Sequence, residues 1–74
     1  MVSFLDSNVL VYYVDSRDQK KQAKAESIIE AAFNGDSVCL ISVQTLTEFS
    51  NVALGKLKLS ESIVARYVEV FAEL

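Results

Sequence analysis

Two short runs constrain this chain most: residues 2–5 (Val-Ser-Phe-Leu) and 37–41 (Ser-Val-Cys-Leu-Ile), with a helical pattern between them. Each reads as a strand apolar on both faces. Strands of that kind belong to parallel sheets covered on both sides, and parallel neighbours need a crossover, usually a helix. The runs therefore predict an α/β fold, a parallel sheet sandwiched by helices. The rest of the chain fills in the layers. Residues 9–14 are apolar at nearly every position and predict a short helix buried nearly all round. Asp18 is a suitable N-cap for a helix over 19–33, whose apolar residues Ala25, Ile28, Ile29, Ala32 and Phe33 recur at helical spacing and which stops at Asn34-Gly35. Ser42 precedes a stripe of Val43, Leu46, Phe49, Ala53 and Leu57, with Gly55 fraying the last turn. Ser60 precedes another stripe of Ile63, Val64, Tyr67, Val68, Val70, Phe71 and Leu74. The expected order is strand, short helix, helix, strand, helix, helix.

At 74 residues the chain is at most one small domain, and 51% of it is hydrophobic. Chains this short bury too little surface for a comfortable margin of stability. A two-stranded sheet also leaves two open edges, and the last helix carries no stop signal. These features predict the N-terminal portion (1–74) of a single larger α/β domain whose C-terminal half is absent. Cys39 is the one cysteine and there is no histidine. An internal disulfide is excluded, and zinc or thiol–histidine chemistry is disfavoured. The formal net charge of −3 gives no general attraction to nucleic acid or anionic membrane. With no run long enough for a membrane helix and no signal-peptide pattern, a cytoplasmic location is expected.

The chemistry concentrates where the first apolar run breaks into Asp6-Ser7-Asn8. A polar triplet at the C-terminal tip of a strand lies where open α/β sheets bind ligands. Glu48, on the helix after the second strand, can point back across the same edge. Two carboxylates brought together repel unless a cation intervenes, and Mg2+ needs only one or two protein carboxylates. Asp6 has a second reading as a helix N-cap, and Glu48 as a solvated helix position. Ser7 and Asn8 can cap the first helix or border the site. Arg17, Lys20, Lys21 and Lys24 form the local basic cluster, either a solvated helix start or a contact for a nucleic-acid backbone. Tyr12 and Tyr13 are core residues with polar tips or stacking surfaces.

Residues 4–13 (Phe-Leu-Asp-Ser-Asn-Val-Leu-Val-Tyr-Tyr) and 41–49 (Ile-Ser-Val-Gln-Thr-Leu-Thr-Glu-Phe) resemble the two N-terminal motifs of PIN domains, most of all the VapC-like toxins of toxin–antitoxin pairs. The resemblance implies a parallel α/β/α sandwich and an endoribonuclease dependent on Mg2+ or Mn2+, in which metal-activated water hydrolyses a phosphodiester. It matches Asp6 and Glu48 to the first two acidic ligands, and Ser7 and Asn8 to positions bordering the site. It also implies an RNA substrate, an antitoxin partner and a homo-oligomer. The family's remaining acids lie in a later strand–helix unit, so half of the acidic cluster is missing and catalysis is expected to be incomplete. The alternative is a non-catalytic interaction or dimerisation fragment that needs a partner to complete its sheet and core.

Overall fold

A computed structural model describes residues 2–74. The elements run β1 (Val2–Phe4), α1 (Ser7–Val14), α2 (Gln19–Phe33), β2 (Val38–Leu40), α3 (Val43–Gly55) and α4 (Glu61–Phe71). The order matches the sequence expectation, with both strands trimmed at their ends. β1 and β2 pair in parallel, with Ser3 opposite Cys39 and Phe4 opposite Leu40. The Leu5 N–H extends the ladder by donating to the Leu40 carbonyl at 2.9 Å.

Short polar side chains set the helix starts. Asp18 accepts from the Lys21 N–H, Ser42 from the Thr45 N–H and Ser60 from the Ile63 N–H. Each satisfies a backbone donor that the helix cannot, a contribution of about 1 kcal/mol. Gly35 turns the chain out of α2 at φ +81°, in the left-handed region that glycine enters without steric cost.

All four helices build the core, with the aromatic rings supplied by α1, α3 and α4 and Ile29 by α2. Phe71 is central. Its ring lies 5.2 Å from Phe49 and 5.7 Å from Tyr13, both edge to face, and 5.9 Å from Tyr67, stacked. Phe49, Phe71, Leu10 and Ile29 are fully buried, and Cys39 brings β2 into the same cluster as a buried free thiol.

Several expected burials are not realised. The helices cover the sheet face that carries Cys39, while Phe4 (84% exposed), Val38 and Leu40 on the strands stay open to solvent. Apolar residues on both strand faces report the need for two layers, and these elements supply one. Val43, Ile63, Val70 and Phe33 are likewise exposed, although periodicity placed them on core stripes. They sit at stripe margins or beyond the reach of the neighbouring helix. Within α1 only Leu10 is fully enclosed, so that helix is half-buried rather than buried all round.

Candidate functional site

β1 delivers its chain directly into α1, and the junction is Asp6. It is extended (φ −79°, ψ 145°), and its side chain caps α1 by accepting from the Asn8 N–H at 2.9 Å. The capping alternative for Asp6 is therefore realised. Neither Ser7 nor Asn8 caps: Ser7 opens the helix, and Asn8 contributes only its backbone donor.

Capping does not remove Asp6 from the site. The Ser7 hydroxyl oxygen lies 3.5 Å from Asp6 Oδ1 and donates to Glu48 Oε2 at 3.0 Å. One hydroxyl thus stands between two carboxylates that are far apart in sequence. Glu48 reaches it because α3 packs on α1, and because β2 ends level with β1, so that both helices start from the same edge of the sheet. The other Glu48 oxygen, Oε1, accepts from Gln44 Nε2 at 3.1 Å. Gln44 had no role in the sequence reading. Its four-residue spacing from Glu48, one helical turn, was the available signal. Asp6 and Glu48 are exposed, and Ser7 is half-buried.

The donor set consists of oxygen atoms only, two carboxylates flanking a hydroxyl. That chemistry suits a hard divalent cation, which accepts one or two protein carboxylates and fills its shell with water and phosphate oxygen. Among the described residues no group of three or more His, Cys, Asp or Glu side chains gathers to hold a metal.

The basic residues divide. Arg17 forks onto Asp15, with Nε and Nη2 each 2.9 Å from a carboxylate oxygen. These hydrogen bonds bring the Asp15 pKa down from 3.8 to about 2. Arg17 is therefore paired within its own turn. Lys20, Lys21 and Lys24 are exposed. Lys21 Nζ lies 4.9 Å from the centroid of the Tyr12 ring, a cation–π contact. Lys21 and Lys24 flank a groove of about 300 Å³ floored by Val9, Tyr12, Ala25 and Ile28. Tyr13 packs on Phe71 instead.

Fold and site together define an α/β domain with an acidic, oxygen-rich corner at the C-terminal end of a parallel sheet. The profile of the PIN domain family matches residues 3–73, and the chain belongs to that family. Membership implies a nuclease-type function in general terms, with divalent-metal dependence and RNA as the usual kind of substrate. No curated protein and no solved structure matches the chain significantly. No helix among the described residues is long and apolar enough to cross a membrane.

Proposed function

We propose that the chain is the N-terminal portion of a metal-dependent endoribonuclease of the VapC-like toxin type. The observation that carries this reading is the shared Ser7 hydroxyl, which brings Asp6 and Glu48 to one corner. Asp6 and Glu48 would be the protein ligands of Mg2+ or Mn2+. When bound, such a cation would polarise a phosphoryl oxygen and lower the pKa of water, so that hydroxide is available to hydrolyse a phosphodiester.

The chain's own part is positioning. Asp6 is fixed by the first turn of α1, and Ser7 sets the spacing between the carboxylates. Lys20, Lys21 and Lys24 offer cationic ends to the RNA backbone. The other acids, and the layer that turns the sheet into a sandwich, would come from residues outside these 74. An antitoxin partner, a homo-oligomeric state and a cytoplasmic location belong to the same proposal.

The bare apolar face at Phe4, Val38 and Leu40 favours a second reading, a non-catalytic fragment that a partner completes. Incubation of the chain with single-stranded RNA and Mg2+, beside Asp6→Asn, separates the two. Catalysis by this half of the cluster, incomplete as it is expected to be, would show as residual cleavage that needs Mg2+ and is lost in Asp6→Asn. Equal products from both proteins would remove the catalytic claim for this chain and leave the interaction reading.

A further inference from the structure

We infer that Gln44 is a positioning residue for Glu48, an inference that rests on the reading of Asp6 and Glu48 as cation ligands. Gln44 lies in the first turn of α3 and Glu48 one turn later on the same face. An exposed glutamate on a helix samples many rotamers. Glu48 is held at both oxygens: Gln44 Nε2 donates to Oε1 at 3.1 Å, and Ser7 Oγ donates to Oε2 at 3.0 Å. One restraint comes from its own helix and the other from α1, so the carboxylate plane is set by two elements already packed together.

A carboxylate oxygen has room for more than one partner. Each Glu48 oxygen can therefore accept its restraint and still face a cation. The chemistry of the restraints matters as well. A carboxamide and a hydroxyl are neutral donors, so they orient Glu48 without bringing a positive charge that would compete with the metal. A lysine at position 44 would bring both effects at once. Gln44 thus prepares the geometry in which Glu48 meets a cation held also by Asp6, and it need not touch that cation.

Mn2+ binding tests this without RNA or turnover. Free Mn2+ is followed by electron paramagnetic resonance during titration of the wild-type chain, Gln44→Met, Asn51→Met and Asp6→Asn, and the thermal midpoint of each is recorded. Methionine keeps the length of glutamine and removes the donor. Asn51, also exposed, lies one turn beyond Glu48 and serves as the control for a methionine on this helix. The expected result is at least threefold weaker Mn2+ binding by Gln44→Met, with wild-type affinity in Asn51→Met and unchanged midpoints. Equal affinity of wild type and Gln44→Met overturns the inference. So does a loss shared by Asn51→Met or accompanied by a lower midpoint, which marks an effect on helix stability. A wild-type chain that does not bind Mn2+, or that binds it no better than Asp6→Asn, overturns the cation reading itself and this inference with it.

Discussion

Glu48 and Phe49 are neighbours on α3, yet they belong to different regions of the molecule. Phe49 is fully buried, 5.2 Å from Phe71 and 6.4 Å from Tyr67. Glu48 is exposed and takes part in the acidic corner with Ser7 and Gln44. One step along the helix, a rotation of about 100°, separates the residue that holds the fold from the residue that lies in the acidic corner. The same division runs through α1, where Leu10 enters the core and Asp6 and Ser7 open the helix at the site. The fold therefore fixes the corner by packing the helices that carry it. The corner returns little stability, because its hydrogen bonds are exposed.

The sharpest way to break this comparison is to exchange the effects of the two neighbours. Phe49→Ala should cost about 3–5 kcal/mol by removing a buried ring and leaving a cavity. In a chain of this size that approaches the whole stability, so thermal or urea unfolding should show loss of the cooperative transition. Glu48→Gln should move the same transition by no more than about 0.5 kcal/mol, as an exposed substitution does. A strongly destabilised Glu48→Gln would mean that the corner holds the fold.

A smaller effect sharpens the contrast between free and committed charges. The fork from Arg17 holds Asp15 down at about 2 from its ordinary 3.8. A carboxylate with a depressed folded pKa contributes stability above its unfolded pKa and loses it as pH falls through the folded one. The contribution should therefore fade between about pH 3.8 and 2. A carbon-detected NMR titration should place the Asp15 midpoint near 2, and Arg17→Met should raise it only part of the way back, because the backbone N–H of residue 17 still donates to Asp15 Oδ1. An unchanged midpoint in Arg17→Met would deny the fork its role.

Local signals in the sequence were legible. Asp18, Ser42 and Ser60 cap the helices they were expected to cap, and Gly35 ends α2, because capping depends on a few adjacent residues. The parallel pairing was legible because two apolar runs joined through a helix leave few alternatives. Burial was less so. Periodicity placed Val43, Ile63, Val70 and Phe33 on apolar faces, but a face is buried only where another element lies against it. Phe4, Val38 and Leu40 illustrate the same point on the sheet. In the corner, Asp6 and Glu48 were nominated by residue type and family motif, with both the capping and the ligand reading open for Asp6. The geometry has Asp6 capping α1 while Ser7 connects it to Glu48. The Ser7–Glu48 bond spans 41 residues and depends on how α1 and α3 pack, which no local pattern specifies. For Gln44 the four-residue spacing from Glu48 is the one sequence signal, and it is weak because many exposed helix pairs share that spacing without bonding.

The proposal stands or falls on Asp6 and Glu48 binding one cation. Paramagnetic broadening of backbone amide signals by substoichiometric Mn2+ tests it most directly, since broadening marks the residues nearest the bound ion. The signals of Ser7, Asn8 and Glu48 should broaden together, those around Glu61 and Glu69 should stay sharp, and the selective effect should vanish in Asp6→Asn. Broadening centred on other carboxylates, or spread evenly over all of them, would contradict it.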